Sequence, residues 1–275
     1  MDTFAVFGNP IKHSLSPQIY ALFAIETGIN SSYSSILTNS VFFNQTLQHF
    51  FHRNGRGANI TAPFKVHALN LCDHITKHAS LVGAVNTIVK LPNNLLLGAN
   101  TDGIGLISDL HHFYVLHKKI KSRVLLVGAG GAARGVIAPL IHNYNCNIIL
   151  VNRTFLGAKK LVSCYKYMEN LSTLPIEQLQ LEKVKFDLII NATSADNFSN
   201  FLPYSLIHEQ LFCYDMCYQQ EGDTAFITWC RQHGAKKYLN GLGMLVSQAA
   251  YSFLLWHGIL PSIIPVLNKL LKRTI

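Results

Sequence analysis

The chain has 275 residues, 49% of them hydrophobic and only 13% charged, so its composition excludes a disordered protein and its length suffices for two domains with buried cores. The formal net charge of +9 favours anionic ligands such as a nucleotide or a carboxylate. The basic residues are scattered, without a basic motif interleaved with aromatic residues, and we therefore expect no nucleic-acid partner.

The first hundred residues alternate predicted strands with predicted helices. Ser16 is the expected N-cap of the first helix, with Pro17 at its first helical position and Gly28 at its end. A second helix is expected from 41 to 53, capped by Ser40. The expected strands span residues 4–7, 32–37, 57–61, 84–90 and 95–100. This alternation predicts an open sheet that is mostly parallel or mixed.

A helix expected from 103 to 117 leads to the most informative stretch, 121–154. Residues 123–127 form a short apolar run that is typical of a buried parallel strand. A glycine-rich turn follows, then a helical pattern from 135 to 144 and a second apolar strand from 147 to 151. Strand, turn, helix and strand together predict one βαβ unit.

The glycine-rich turn matches G-x-G-x-x-A, the alanine variant of the dinucleotide-binding fingerprint. Gly128 permits the tight turn, Gly130 lets the backbone approach a pyrophosphate, and Ala133 lets the helix pack close to the strand. The helix N-terminus would then offer its N–H groups to the pyrophosphate. The residues expected to contact this cofactor are Gly128, Ala129, Gly130, Gly131 and Ala132.

The end of the second strand indicates which dinucleotide is bound. An NAD site places an acidic residue there to hold the ribose hydroxyls, but this chain has Asn152, Arg153 and Thr154. A guanidinium fork beside a hydroxyl suits a phosphate dianion, so we predict NADP (NADPH) bound by these three residues. The alternative is that Arg153 is a solvated surface side chain.

Beyond Thr154 the alternation continues, with helices expected to about Met168 and from 224 to 233. Strands are expected at 186–191, 211–216 and 236–239, which suffice for a doubly wound sheet. A long helix from 244 to 257 and a final helix after Pro261 show little strand character, and we expect them to pack on the first domain. The predicted domains are 1–101 completed by 241–275, and 102–240.

Cysteines and histidines give no sign of a metal site. The six cysteines form no C-x-x-C pair, and the thirteen histidines are dispersed. Reduced thiols are expected, and with them a cytoplasmic location. We expect no signal peptide, because the first residues lead directly into a predicted strand. The sequence has no apolar run long enough to span a membrane, so no membrane partner is expected.

Seven stretches, in chain order, resemble the shikimate dehydrogenase family, whose members reduce 3-dehydroshikimate to shikimate with NADPH. The resemblance covers essentially the whole chain, and seven ordered stretches are far more specific than any one of them. They are GNPIKHSLSP (8–17), NITAPFK (59–65), GAVNT (83–87), NTDG (100–103), the glycine turn with NRT (152–154), NATS (191–194) and GLGMLVSQ (241–248). The resemblance implies an α/β fold with a mixed-sheet substrate domain and a Rossmann-type NADP-binding domain.

The resemblance implies that Lys65 and Asp102 are catalytic. Hydride delivery to a ketone creates an alkoxide, so the site needs a proton donor aimed at that oxygen. Lys65 is the donor that the resemblance indicates, and with Asp102 it is best treated as a coupled dyad. Asp102 would also hold a ring hydroxyl of the substrate. The alternatives are a surface lysine for Lys65 and an ordinary helix cap for Asp102.

The resemblance also implies a set of substrate-binding residues. Ser14 and Ser16 would bind the substrate carboxylate, although both could simply cap the first helix. Asn59 and Asn86 would recognise hydroxyl groups, with satisfied structural amides as the alternative. The full predicted set is Ser14, Ser16, Asn59, Thr61, Asn86, Tyr218 and Gln248. Met216, Gly241 and Met244 would line the nicotinamide end, although a methionine on a helix is more often core.

Two departures from the family pattern affect these expectations. Ala195-Asp196 replaces the residue and glycine that usually follow NATS, which suggests a remodelled loop. Gly157 stands where the family often has a second arginine near the 2′-phosphate, which weakens the expected clamp.

The function expected from this resemblance is that of an NADP-dependent oxidoreductase of chorismate and aromatic amino-acid biosynthesis, monomeric or homodimeric. The alternatives are an NAD-dependent quinate/shikimate dehydrogenase, or a catalytically silent ligand-binding regulator on the same fold.

Overall fold

The computed structural model describes residues 1–113, 115, 121–181, 185–198, 201–219 and 222–271. These residues form two compact units. The first contains Met1–Gly105 with the described residues from Leu245 onward, and the second contains the described residues of Leu106–Met244. Within the described ranges, no helix combines the length and hydropathy needed to cross a lipid bilayer.

The first unit is built on a six-stranded mixed sheet of order β2-β1-β3-β5-β6-β4. Its elements are β1 (Asp2–Gly8), α1 (Ser16–Thr27), β2 (Ser31–Leu37), α2 (Phe43–His52), β3 (Gly55–Ile60), α3 (Lys65–Ala68), a 3₁₀ turn (Leu69–Leu71), β4 (His74–Ile75), α4 (Lys77–Val82), β5 (Thr87–Lys90) and β6 (Leu96–Ala99). Strand β1 pairs in parallel with β2 and β3, whereas β5 runs antiparallel to both β3 and β6. The predicted mixed open sheet is confirmed.

Two further helices cross the division between the two units along the chain, and a third lies in the first unit. They are α5 (Asp102–His112), α9 (Leu242–His257) and α10 (Ile263–Leu271). In the first unit, the indole of Trp256 on α9 donates to Ile88 O at 3.0 Å and stacks on Phe4 with ring centroids 4.6 Å apart. Tyr20 on α1 donates to Ala249 O at 3.2 Å, so α9 covers one face of the mixed sheet.

The second unit contains a six-stranded parallel sheet of order β12-β11-β10-β7-β8-β9. Its elements are β7 (Arg123–Val127), α6 (Gly131–Tyr144), β8 (Asn147–Val151), α7 (Phe155–Ser163), β9 (Leu171–Thr173), a 3₁₀ turn (Ile176–Leu181), β10 (Leu188–Asn191), a 3₁₀ turn (Tyr204–Leu206), β11 (Phe212–Asp215), α8 (Ala225–Gln232) and β12 (Lys237–Leu239). The order reverses next to β7, as a doubly wound sheet requires, which confirms the predicted Rossmann-type fold. Strands β7 and β10 are buried on both faces, as their continuous apolar runs indicate.

Some local expectations were wrong. Ser16 is not the N-cap of α1, because Leu15 takes that position and Ser16 already lies in the helix. Ser40 does not cap α2 either, since the Oδ1 atom of Asn39 accepts from the N–H groups of both Val41 and Phe42, at 3.0 Å each. An asparagine can bond backbone groups two and three residues ahead, and here this turn delays the helix to Phe43.

Other boundaries also moved. The helix expected from 103 to 117 begins at Asp102 and ends at His112, and most of its expected last turn lies outside the described residues. The helix expected to reach Met168 ends at Ser163. Strands β4 and β9 were not predicted, because two or three residues are too short to show a periodic pattern.

Candidate active site

Lys65 and Asp102 meet in the first unit. Lys65 is the first residue of α3, just after β3, and Asp102 is the first residue of α5, just after β6. Lys65 Nζ lies 2.6 Å from Asp102 Oδ2, with side-chain exposures of 17% and 5%. The carboxylate is therefore almost fully withdrawn from water, while the ammonium group keeps partial access to it. The backbone N–H of Asp102 donates to Asn100 Oδ1 at 3.0 Å, which fixes the start of α5.

Asn86 holds the other oxygen of Asp102. Its Nδ2 donates to Asp102 Oδ1 at 2.8 Å, and its Oδ1 accepts from the backbone N–H of Thr101 at 2.8 Å. Because a backbone N–H can only donate, this second bond determines which end of the amide faces Asp102. The carboxylate thus receives one donor on each oxygen. Gln248 of α9 belongs to the same group, with its Oε1 3.5 Å from Asn86 Nδ2.

Asn59 is also buried, but its amide is fully committed to the protein. Its Oδ1 accepts from the hydroxyls of Tyr20 and Tyr33, at 2.8 Å each. Its Nδ2 donates to Asn86 O at 3.2 Å and to Ser252 Oγ at 3.1 Å. This geometry favours the structural alternative for Asn59, and a direct role in substrate binding stays a prediction.

Three predicted hydroxyl groups have spare hydrogen-bonding capacity. Ser14 Oγ accepts from the backbone N–H of Ser16 at 3.3 Å, and its own hydroxyl proton has no acceptor within the described ranges. The hydroxyls of Ser16 and of half-buried Thr61 likewise have no hydrogen-bond partner among the residues that the structure describes. The side chain of Ser16 does not cap α1 either. All three hydroxyls can therefore form hydrogen bonds with a ligand.

The glycine turn of the second unit has the geometry that a dinucleotide needs. Gly128 has φ +109°, and a Cβ there would lie 2.7 Å from Thr193 Cγ2 and 3.0 Å from Ala192 O. A Cβ on Gly130 would meet no described atom within 4 Å, so that side of the turn is open. Helix α6 begins directly afterwards, and Gly130 gives it no side-chain cap. The turn therefore offers backbone N–H groups at the start of a 14-residue helix.

The predicted phosphate clamp follows β8. Arg153 is exposed, and its guanidinium has no ion-pair or hydrogen-bond partner in the described part of the chain. Asn152 Nδ2 donates to Thr154 O at 3.0 Å, and Thr154 precedes α7 without using its side chain as a cap. A Cβ on Gly157 would lie 3.0 Å from Asn152 Nδ2, so a side chain there would start beside this motif.

Met216 and Gly241 form a tight corner after β11. The backbone N–H of Gly241 donates to Cys217 O at 2.9 Å, and a Cβ on Gly241 would overlap the carbonyl group of Met216. Half-buried Tyr218 follows this corner. Met244, expected to line the same region, is buried in the first turn of α9. Only a glycine can occupy position 241 in this arrangement.

At the ends of β10 and β11, the NATS motif (191–194) is held by hydrogen bonds within the motif and to Asp215. Asn191 Nδ2 donates to Asp215 Oδ1 at 2.8 Å, and Asn191 Oδ1 accepts from the Thr193 backbone at 3.0 Å. Burial raises the pKa of Asp215, and hydrogen bonds from Thr224, Cys217 and Asn191 oppose that shift. The motif therefore shapes the loop beside Gly128, and the departure at Ala195 lies just beyond it, with its N–H 3.3 Å from Thr193 Oγ1.

Sequence reasoning missed several polar residues that hold this site. Thr87, Thr101 and Ser252 form a buried hydroxyl group behind Asn86, with Thr87 Oγ1 2.8 Å from Ser252 Oγ and Thr101 Oγ1 3.2 Å from it. Asp109 and Tyr214 form a second buried pair. A polar residue at an apolar position of a helix was the available signal for Asp109 and Ser252. In the part of the chain that the structure describes, no group of three or more His, Cys, Asp or Glu side chains could hold a metal ion.

Comparisons with known proteins found matching family models and similar solved structures. The family model described as the shikimate dehydrogenase substrate binding domain matches residues 6–88, and that of shikimate/quinate 5-dehydrogenase matches residues 114–200. An Ael1 enzyme from Pseudomonas putida is 32% identical over 98% of each chain, with a TM-score of 0.86. Shikimate 5-dehydrogenase from Thermus thermophilus, solved with NADP(H) and shikimate, is 30% identical over 100% of each chain, with a TM-score of 0.84. The Listeria monocytogenes enzyme, solved with shikimate and NAD, is 25% identical over 98% of this chain and 96% of that one, with a TM-score of 0.82.

Proposed function

We propose that this chain, which belongs to the shikimate/quinate dehydrogenase family, is an NADP-dependent oxidoreductase that interconverts 3-dehydroshikimate and shikimate. The observation that carries the proposal is the close contact between Lys65 and Asp102, supported by Asn86. We further propose that the substrate domain comprises 1–101 and 241–275, and that the cofactor domain comprises 102–240.

The dyad provides the proton that the reaction needs. When the substrate ketone accepts a hydride, its oxygen becomes an alkoxide, and the Lys65 ammonium group donates a proton to it. In the reverse direction, neutral Lys65 takes the proton of the shikimate hydroxyl as the hydride leaves its carbon. Asp102 keeps the lysine in place and accepts a hydrogen bond from a ring hydroxyl. Asn86 prevents the Asp102 carboxylate from rotating away, because it binds the oxygen that Lys65 does not.

The residues of the second unit fit a nicotinamide dinucleotide. The open side of Gly130 and the uncapped start of α6 suit the pyrophosphate, and the bound cofactor supplies the hydride. Arg153 supports NADP over NAD, because its guanidinium is exposed and unpaired within the described residues and no acidic side chain follows β8. Asn152 and Thr154 would complete the phosphate site.

Substrate recognition follows from the hydroxyl groups of the first unit. Ser14 and Ser16 would bind the carboxylate, and Thr61 and Gln248 would bind ring hydroxyls, because each can still form a hydrogen bond with a ligand. Tyr218 would complete the substrate-binding set, as the family resemblance implies. Asn59 would act indirectly, by holding Tyr20, Tyr33 and Ser252 behind these residues.

The deciding experiment is a spectrophotometric assay of NADPH formation at about 340 nm, with shikimate as the substrate and NADP and NAD offered in parallel. We expect kcat/KM for NADP to exceed that for NAD by at least about tenfold, the order of one charge-assisted contact. Preference for NAD would favour the quinate/shikimate type, for which quinate serves as the comparison substrate. Absence of turnover with either cofactor would favour the silent ligand-binding regulator.

We also propose that the reaction serves chorismate and aromatic amino-acid biosynthesis in the cytoplasm, by a monomer or homodimer. The measurement is growth without aromatic amino acids of a bacterial strain that lacks this activity and expresses the chain. Failure of the active protein to restore growth would contradict the assignment to this pathway.

A further inference from the structure

Asp109 is a buried acid in the second unit that the proposed reaction does not use. It lies in α5 and is 3% exposed. The hydroxyl of Tyr214 on β11 donates to its Oδ2 at 2.5 Å. An acid this deeply buried requires specific partners, because burial of an ionised carboxylate opposes folding.

The second partner of Asp109 is the first turn of α9. The carboxylate packs directly against the backbone of this turn, because a Cβ on Gly243 would overlap the carboxylate oxygens. The backbone N–H of Met244 also lowers the pKa of Asp109. Position 243 therefore accepts only glycine while Asp109 is in place. The carboxylate therefore contacts β11 through the hydroxyl of Tyr214 and α9 through the backbone of its first turn.

Both elements lead directly to the corner formed by Met216 and Gly241. Tyr214 precedes Met216 by two residues along the chain, and Gly241 immediately precedes α9. The corner is itself tight, since Gly241 donates to Cys217 O and leaves no room for a side chain against Met216. A shift of either element would therefore displace the corner.

We propose that Asp109 is a positioning residue for hydride transfer, which holds the Met216–Gly241 corner in place through Tyr214 and the first turn of α9. The inference rests on the proposed function and on the family resemblance, which implies that Met216 and Gly241 line the nicotinamide end of the cofactor site. A displacement of about 1 Å between reacting groups can slow a reaction by up to 100-fold, so the chemistry is sensitive to such a contact.

Burial of the Asp109 carboxylate lowers the stability of the folded protein at neutral pH, which indicates that this residue has a role besides stabilising the fold. Burial raises the pKa of Asp109 to about 6, and this shift is opposed by the Tyr214 hydroxyl, the positive charge of His112 on α5, and the Met244 N–H. The Tyr214 pKa is also raised, by burial and then by the charge of Asp109, with Asp215 adding to it. Since the folded pKa of Asp109 lies above the unfolded value of 3.8, the folded state binds the proton more tightly, and stability falls as the pH rises from 3.8 through about 6. A neutral asparagine would avoid that loss.

The experiment compares Asp109→Asn and Asp109→Leu with wild type in the shikimate and NADP assay. Asparagine keeps the shape and one acceptor for two donors, so we expect kcat to fall about 3- to 10-fold, and leucine, without an acceptor, about 10- to 100-fold. KM for shikimate should stay within about twofold, because the position of the corner affects the energy of the transition state and not the binding of shikimate. The isotope effect on kcat, measured with shikimate deuterated at the reacting carbon, should increase as hydride transfer becomes slower.

Thermal unfolding separates positioning from a purely structural role. We expect Asp109→Asn to raise Tm by about 2–4 °C at pH about 7.5 while kcat falls, and to have no such effect on Tm at pH about 4.5, where Asp109 of the folded protein is neutral. Tyr144→Phe is the matched control, because it removes a buried tyrosine hydroxyl that has no hydrogen-bond partner among the described residues. This control should leave kcat and the isotope effect unchanged.

The outcomes distinguish this inference from the proposed function. If the wild-type protein turns over shikimate, and the folded Asp109→Asn protein has the same kcat and isotope effect, the inference is overturned and the proposed function stands. A parallel fall of Tm and activity would also overturn it, since that indicates only a structural role. Wild-type protein without turnover of shikimate would refute the proposed function, and the inference with it.

Discussion

Replacing Gly157 by arginine tests how this chain selects its cofactor. Gly157 is the third residue of α7, and its N–H donates to Thr154 O at 2.9 Å. A side chain at this position would begin 3.0 Å from Asn152 Nδ2, beside the residues proposed to hold the 2′-phosphate. Lys160 lies three residues further on the same helix face, exposed and without the bidentate fork of an arginine. Gly157→Arg should therefore add a second guanidinium to the clamp.

The magnitude follows from one new hydrogen bond and one close contact. A net gain of about 0.5–1.5 kcal/mol lowers KM for NADP about 2- to 12-fold. Against it stands the Asn152 amide, which must move by a few tenths of an ångström from a Cβ at 3.0 Å while keeping its bond to Thr154 O. Replacement of a helical glycine also stabilises the fold by about 0.5–1 kcal/mol.

The assay measures kcat/KM for NADP and for NAD in wild type, Gly157→Arg and Gly157→Ala. The alanine variant carries the same Cβ without the charge, so it isolates the cost of moving Asn152 and the gain in helix stability. We expect only the arginine variant to favour NADP, with little change for NAD. An equal change for both cofactors would show that position 157 does not face the phosphate, and that Arg153 and Thr154 bind it alone.

Four further substitutions test the substrate site. Lys65→Ala should lower kcat about 10²–10⁴-fold with unchanged NADPH binding, and a folded variant with wild-type turnover would remove Lys65 from the mechanism. Ser14→Ala and Ser16→Ala should each raise KM for shikimate more than they lower kcat, whereas a normal KM in both would leave the two serines without a role in binding. Asn59→Ala should lower the free energy of unfolding by about 1–3 kcal/mol in urea titrations, because it removes the buried acceptor shared by Tyr20 and Tyr33 and the amide donor to Asn86 O and Ser252. An unchanged midpoint would contradict the structural role assigned to its amide.

The parts of the fold that the sequence predicted are those that depend on local patterns. The βαβ unit around Gly128 was predictable because an apolar run, a glycine turn and a helical period occur within about thirty residues. The end of α1 at Gly28 was predictable because a glycine readily adopts the left-handed conformation that ends a helix. Where two local signals competed, the prediction failed. Asn39 binds the backbone N–H groups ahead of α2 that Ser40 was expected to cap, and Leu15 takes the cap position expected for Ser16.

The site was predictable only in part, because its side chains come from distant positions in the chain. Lys65 and Asp102 were found through their motifs, although 37 positions separate them and no periodicity links them. The partners of Asn59 lie between 26 and 193 positions away, and their hydrogen bonds decide whether its amide is available to a ligand. The motifs therefore indicate which residues are candidates for the site. Whether a candidate side chain can still form a hydrogen bond with a ligand depends on the tertiary structure.

Asp102 and Asp109 show why the partners of an acid matter more than its burial. Both aspartates lie on α5, seven residues apart and thus on the same helix face, and both are buried. Asp102 contacts a lysine ammonium, which can donate a proton to an alkoxide at neutral pH, and Asn86 secures its other oxygen. Asp109 contacts a phenol whose pKa is raised well above its ordinary value, so Tyr214 keeps its proton throughout the working range. In the proposed mechanism, therefore, the Asp102 carboxylate supports proton transfer, whereas the Asp109 carboxylate holds its neighbours in position.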